Sequence, residues 1–347
     1  MSPAWIVSII LVLCALTSPT QAREQLGQLK VDNLVIRPQF RLLEPAKANF
    51  ELGESLFSVR WDMDTKIGAV FTVGAKDLIG TSTHFAPELN QDLGFIEAYG
   101  EYNFDYGTIR AGLQPVGFGI EGSVGEADLD MPRSLLYQER IVPLRDIGVS
   151  YAIDHNGYFT RLMIHNGESG ANLDGRPWYT AKWGWTKSGR WRLGMAGQTG
   201  TTKPTSTSTS QDNLAGVDIT KEAQWRLGGP FMVWTPHRWR LAFEGYLGEL
   251  SQEKDLRKYS AGYWSLSYSG QAWFFGLRYD QIDPNHDLDN DLKRQVTLTL
   301  GLLSERRTSR VFLVATKVFE ESNQIPNDEL RLVWHLTPLL PSAVPEL

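Results

Sequence analysis

Period-two alternation runs through most of this chain. Between Arg145 and Asn166, the apolar series Ile147, Val149, Tyr151 and Ile153 alternates with Asp146, Gly148, Ser150 and Ala152. After Asp154-His155-Asn156-Gly157, Tyr158, Thr160, Leu162 and Ile164 alternate with Phe159, Arg161, Met163 and His165. Successive side chains of a strand point to opposite faces, so this repeat predicts two strands. The Asn-Gly pair between them accepts the positive φ angles of a tight type I′ hairpin. One face of the hairpin is apolar and the other mixed. That suits a soluble sheet lying on a core, and equally a transmembrane barrel in which lipid replaces the core.

The same pattern recurs along the chain. It predicts strands at Asn33–Leu42, Ser55–Met63, Ile67–Ala75, Phe95–Phe104, Thr108–Gly117, Trp178–Thr186, Arg190–Thr199, Ala215–Arg226 and Arg238–Gly248. Further strands fall at Tyr259–Tyr268, Gln271–Gln281, Arg294–Leu303, Arg310–Phe319 and Glu329–Thr337, for sixteen in all and no helix. Short and long connections alternate. The longest runs from Phe118 to Leu144, Gly200–Asp212 is a Thr/Ser-rich loop, and Leu227–His237 reads as an irregular connection. Aromatic residues gather beside the short turns: Phe104 and Tyr106; Tyr151 and Tyr158; Trp183, Trp185 and Trp191; Trp264, Trp273 and Phe274. An even-numbered outer-membrane barrel, with tight periplasmic turns, longer outer loops and an interfacial aromatic girdle, produces this order.

Composition narrows the alternatives. Residues 1–22 carry no charge and contain the apolar run Trp5–Leu16, which fits a secretory signal cleaved after Ala22. Residues 23–32 form a polar lead-in, 33–337 the barrel, and 338–347 a C-terminal tail. Cys14 is the sole cysteine, so the mature chain has no disulfide, thiolate metal site or cysteine nucleophile. A net charge of −6 argues against a nucleic-acid partner. Beyond the signal no apolar run is long enough for a spanning helix, and a mean hydropathy of −0.27 suits strands with half their residues on the lipid side.

The polar face carries the candidate chemistry. The alternation sets Arg37, Arg41, Arg60, Arg110, Arg161, Lys182, Arg190, Arg192, Arg238, Arg240, Arg278 and Arg331 on it, with Asp62, Glu97, Glu101, Asp146, Asp218, Glu222, Glu244 and Asp280. Charges of both signs on nearly every strand imply a wet lumen, and a barrel of this width is too wide for wall side chains to fill. Each charge could equally belong to a wall ion pair; only the cationic excess bears on selectivity, because rings of Arg and Lys favour anions. The connection 118–144 opposes it with Glu121, Glu126, Asp128, Asp130 and Glu139 against Arg133 and Arg140. Six histidines lie scattered without metal-ligand spacing. Asp283, His286, Asp287, Asp289 and Asp291 lack the Gly-centred Ca²⁺-loop spacing, and no Gly-x-Ser-x-Gly elbow is present.

Gln114-Pro115-Val116-Gly117 after Gly-rich alternation, Arg145-Asp146-Ile147-Gly148-Val149, and a strand ending in Asn166-Gly167 together resemble the phosphate-selective porin O and P group of Gram-negative outer membranes. The resemblance covers residues 94–167. It implies a sixteen-stranded, trimeric channel in the outer membrane whose third loop, 118–144, folds into the pore. The acidic loop and the tail beyond the last strand depart from that group. The reading is therefore an outer-membrane porin for small hydrophilic solutes, anion-preferring and phosphate-like, with outer-membrane lipids as surroundings, no cofactor or metal, and no enzymatic activity. Arg110 and Arg161 are expected to carry the preference. The alternatives are a closed structural or adhesive barrel, a maltoporin-like sugar channel and a soluble secreted β-sandwich.

Overall fold

The computed structural model describes residues 27–43, 47–53, 55–75, 93–125, 128–129, 131–139, 141–142, 144–167, 175–187, 190–202, 222–253, 255–306, 308–321 and 328–337. The expected signal and the tail lie outside the described residues. So do Glu126, Asp130, Arg140 and Asp218.

The strands are β1 (Gln28–Val35), β2 (Pro38–Leu43), β3 (Lys47–Leu52), β4 (Leu56–Asp62), β5 (Ile67–Ala75), β6 (Leu93–Phe104), β7 (Gly107–Pro115), β8 (Arg145–His155) and β9 (Tyr158–His165). They continue as β10 (Trp178–Lys187), β11 (Trp191–Thr202), β12 (Ala223–Trp234), β13 (Trp239–Gln252), β14 (Asp255–Ser269), β15 (Trp273–Asp283), β16 (Lys293–Leu303), β17 (Ser309–Glu320) and β18 (Glu329–Leu336). From β4 to β18 each strand pairs antiparallel with the next. β1 lies on β4, with Val35 opposite Leu56, while β2 lies on both β3 and β18. Hence β1 and β2 are two halves of one stave, as are β3 and β4, and the described segments make sixteen staves. The β2–β18 pairing closes the sheet, which removes the edges that would invite aggregation.

Pro38, which cannot donate to a ladder, opens β2 at the break in the first stave. The break is stitched to its neighbour: the Gly53 amide donates to the Arg37 carbonyl (2.8 Å), and the Arg37 amide to Ser55 Oγ (2.8 Å).

One end of the barrel gathers the tight connections 63–66, 105–106, 156–157, 235–238 and 270–272, together with the start of β1 and the end of β18. Asn156 and Gly157 take φ 51° and 81°, the geometry a type I′ turn demands. At 63–66 the Lys66 and Ile67 amides donate to Asp64 Oδ1 (2.6 and 2.7 Å), which holds the Asp64 carboxyl below the usual carboxylate range. The opposite end carries the longer connections, with 44–46 and 253–254 as short exceptions.

The expected strand bounds need correction in three places. Leu227–Trp234 is strand rather than irregular, β3 precedes the expected Ser55 start, and β1 begins at Gln28, inside the expected lead-in. The segment from Leu227 hides its alternation because both its faces are largely apolar, one lying on lipid and one on protein.

Outside, Ile147, Val149, Leu162, Ile164, Leu300 and Leu332 are exposed, as lipid-facing positions must be. At the short-turn end Trp191 stacks on Trp234 (4.9 Å), and Tyr268 contacts both Trp239 (4.9 Å) and Trp273 (4.7 Å), forming a girdle. Phe274 does not join it. It points inward, buried, against Phe312 and Met131. No helix among the described residues is long and apolar enough to cross a membrane.

Candidate functional site

The interior is divided by the connection between β7 and β8, which enters the barrel. It includes a short 3-10 turn, Glu121–Ser123, and one helical turn, α1 (Leu135–Gln138), where none was expected. Phe118, Ile120, Leu135, Leu136, Tyr137, Ile141 and Val142 are buried with Trp225, Leu227, Phe231, Val233, Tyr246, Leu250, Tyr259 and Tyr263 of β12–β14. The inner face of these staves thus packs against protein instead of water.

Buried polar groups latch the loop to the wall. Glu244 of β13, fully buried, accepts from the Ile120 and Glu121 amides (2.8 and 3.2 Å) and the hydroxyls of Tyr263 (2.8 Å), Tyr246 (2.7 Å) and Tyr137 (3.4 Å). Gly119 sits at φ +58°, and a Cβ there would overlap the Glu244 carboxylate; both constraints demand glycine. Burial first, then Glu244 and Glu121, push the Tyr137 phenol well above its ordinary pKa, so it remains a donor to the Phe118 carbonyl (2.8 Å).

On β15, Arg278 bonds Asp280 (2.8 Å), the Arg133 carbonyl (2.8 Å) and the Pro132 carbonyl, and approaches Glu121 (3.5 Å). Asp280 in turn accepts from the Leu135 amide (3.1 Å), and Glu121 from Ser134 N and Oγ (both 2.9 Å). Arg133 donates to the Glu121 and Val124 carbonyls (both 2.7 Å). Lys182 of β10 reaches the Gly119 carbonyl and Ser123 Oγ (2.9 Å). Hydrogen bonds to charged groups contribute roughly 1.5–3 kcal/mol each, so the loop is held, not draped.

This changes the role of several residues expected to line open water. Arg278 and Lys182 lie under the loop, 1% and 5% exposed, and are spent on holding it. Arg37 is buried at the break of the first stave. Arg190 and Arg238 lie in turns and Asp128 in an exposed turn.

The wall away from the loop keeps the polar character the alternation predicts. Glu101 sits between Arg60 and Arg110 (3.2 Å to the latter), Glu97 pairs with Arg145 (3.1 Å), and Glu329 lies between Arg41 and Arg331. Lys293 joins Glu139 of the loop (2.5 Å) to Glu320 (3.1 Å).

Arg161, Arg192 and Arg240 are different. Among the described residues none has a carboxylate within 4.0 Å, and the Nε of each is buried without a partner. Arg161 donates to the Pro115 carbonyl (2.6 Å) and faces Lys182 directly across the β9–β10 ladder, a like-charge pairing that costs stability. Arg192 lies over the Phe159 ring at 4.4 Å.

At the root of the loop, His165 bridges Asp146 (2.7 Å) and Thr180 Oγ1 (2.9 Å). A hydroxyl, a histidine and a carboxylate form the skeleton of a nucleophilic triad. Here all three are buried within the wall, out of a substrate's reach, and they staple β8, β9 and β10.

Sequence reasoning placed Glu244 and Asp280 on the inner face without their role. The available signal was the aromatic inner register of β12–β14, Trp225, Phe231, Tyr246, Tyr259 and Tyr263, which a wet wall would not use.

No family model and no curated protein matches the sequence. Solved structures do match in fold. In-vitro folded OmpT in its trimer form, an outer membrane protein of Vibrio cholerae, is 12% identical with a TM-score of 0.65, over 90% of this chain and 99% of that one. The outer membrane channel DcaP of Acinetobacter baumannii is 13% identical (TM-score 0.62; 92% and 99% covered). An anion-selective porin from Comamonas acidovorans is 10% identical (TM-score 0.62; 89% and 99% covered). The fold is that of integral outer-membrane β-barrels of the porin type.

Proposed function

We propose that this chain is a passive outer-membrane diffusion channel for small hydrophilic solutes, with a preference for anions, and not an enzyme. The observation that carries the preference is the imbalance on the inner wall. The acids Glu97, Glu101, Asp146, Glu244, Asp280 and Glu329 each have a cationic or hydrogen-bonding partner, whereas Arg161, Arg192 and Arg240 have no carboxylate within 4.0 Å among the described residues, Asp154 and Glu97 acting on Arg192 and Arg161 only from farther away. Guanidinium groups without an ion-pair partner replace part of an anion's hydration and still release it. Arg110, expected from sequence to share this work, is neutralised by Glu101, so the weight moves to Arg161 and Arg192.

Similarity to an anion-selective porin and to a trimer form supports the same reading and a homotrimeric assembly. The finer expectation of a phosphate-like solute rests on the sequence resemblance, whose Pro115 carbonyl is the group that Arg161 engages.

The test is the reversal potential across a planar bilayer under a KCl gradient. The wild-type channel is expected to favour chloride, and the Arg161→Ala, Arg192→Ala double variant to lose most of that preference with the barrel still folded. Unchanged selectivity in the variant would remove these residues from the ion path. One observation favours the second reading, a closed structural barrel: the loop packs against the inner face of β12–β14. Absence of conductance from folded protein would select it.

A further inference from the structure

The outer wall of β9–β13 carries a groove of about 1010 Å³ whose floor is made by missing side chains. Across the sheet, Leu162, Ala181, Gly197, Gly228 and Leu247 form one outward row in register. Glycine in a strand interior weakens the strand and marks a bulge or the close approach of a ligand or another backbone. At these two positions the backbone does not demand it. Neither takes a positive φ, and an added Cβ would meet nothing nearer than 3.4 Å at Gly197 and 3.5 Å at Gly228, ordinary contact. The inward glycines differ: at Gly200 and Gly248 a Cβ would enter the rings of Trp178 and Tyr259. What Gly197 and Gly228 provide is therefore the hollow itself, flanked by exposed Leu162, Ile164, Tyr179 and Leu247.

The groove ends in charge. The next outward row runs Ile164, Tyr179, Thr199, Arg226, Glu249, Lys258. Arg226 and Lys258 are exposed, and neither makes an ion pair among the described residues, although Glu249 lies between them in register. His286 borders the same rim, with Asp283 beside it (3.8 Å). Ten residues separate Lys258 from the girdle residue Tyr268 along β14. At ~3.3 Å per residue and a tilt of ~40° that is ~25 Å of height, the thickness of a barrel's apolar band. With Tyr268 at the short-turn interface, Lys258 stands at the headgroup level of the opposite leaflet.

An apolar hollow within the hydrocarbon layer, capped at headgroup height by two uncommitted cations, has the amphipathic layout of an anionic lipid. We infer that this groove binds one phosphorylated lipid of the outer leaflet, its acyl chain lying over Gly197 and Gly228 and its phosphate on Arg226 and Lys258.

Native mass spectrometry of the whole barrel in neutral detergent, titrated with diphosphoryl lipid A and with its dephosphorylated form, tests this. The expected result is a saturable one-to-one adduct per chain that weakens at least tenfold in Gly197→Leu, Gly228→Leu, where leucines fill the hollow. It should weaken at least fivefold in Arg226→Gln, Lys258→Gln, and to a similar extent for the dephosphorylated lipid. The charge variant alters only exposed side chains and so remains interpretable if the leucine variant fails to fold. Equal adduct formation by wild type and the charge variant, or by the two lipid forms, would overturn the assignment. So would a groove-filled variant that loses its oligomer while keeping the lipid, since a second copy would then be the occupant.

Discussion

Two halves of one wall, built by the same alternation, have opposite interiors. On β12–β15 the inner face is aromatic and aliphatic, the loop covers it, and its charges Glu244, Arg278 and Asp280 are dry. On the side formed by β4, β6, β7 and β18 the inner face is polar, and Arg60, Arg110, Arg41 and Arg331 pair with acids in partial contact with solvent. Strand periodicity separates inside from outside, but it cannot tell whether the inside is wet. What decides that is where a third element docks.

The comparison predicts that the same chemical deletion has very different costs on the two sides. The largest effect should come from Arg278→Ala. It removes the donor to Asp280, Glu121 and two loop carbonyls, leaving two buried carboxylates uncompensated, and breaking a buried charged pair in this way costs about 3–5 kcal/mol. Denaturant unfolding of the folded barrel in detergent measures it. Single-channel recordings should at the same time show larger, noisier steps as the loop loses its hold. A variant with wild-type stability and quiet wild-type conductance would show that the latch does not hold the loop.

Glycines give the next contrast. Gly248 lies under the Tyr259 ring in the packed half, so Gly248→Ala forces the ring or the strand to move, an overpacking cost of about 1–3 kcal/mol. Gly228 faces outward with room for a Cβ, and Gly228→Ala should be neutral or stabilising by up to about 0.5–1 kcal/mol, because glycine's extra chain freedom no longer opposes folding. The unfolding midpoint should fall in Gly248→Ala and stay level or rise in Gly228→Ala. Equal shifts would mean that the two faces are packed alike.

Much of this was legible in the chain, and the part that was not has a physical reason. The sixteen staves and the Asn156-Gly157 turn follow from side-chain period and turn chemistry, both local properties. The outward course of Leu162 and Ile164, and the inward course of Arg60 and Glu101, follow from the same period. The fate of Arg278 and Lys182 does not, because it depends on contacts with residues 119–133, far away in sequence. Arg161 and Arg60 look equivalent as arginines on the polar register; only the folded wall gives Arg60 a carboxylate partner within 4.0 Å and Arg161 none among the described residues. Phe274 failed as a girdle residue because proximity to a turn says nothing about which face a side chain takes.

The wet half should show the smallest single effects, for a reason that can itself be tested. Glu101 is only 3% exposed, yet it has two cationic partners, Arg60 and Arg110, each about a third exposed. Losing Arg110 alone leaves Glu101 paired, and partly solvated ion pairs contribute little, so Arg110→Ala should cost under about 1 kcal/mol. Arg60→Ala, which also removes one of the two cations on Asp62 and leaves Lys30 (2.9 Å), should fall in the same range. The double variant leaves Glu101 buried without a cation, and its cost should exceed the sum of the singles by about 0.5–3 kcal/mol, the coupling expected for groups that share a partner. Strict additivity in this cycle would mean that water in the lumen already satisfies Glu101. The two arginines would then be held there for the solute and not for the wall.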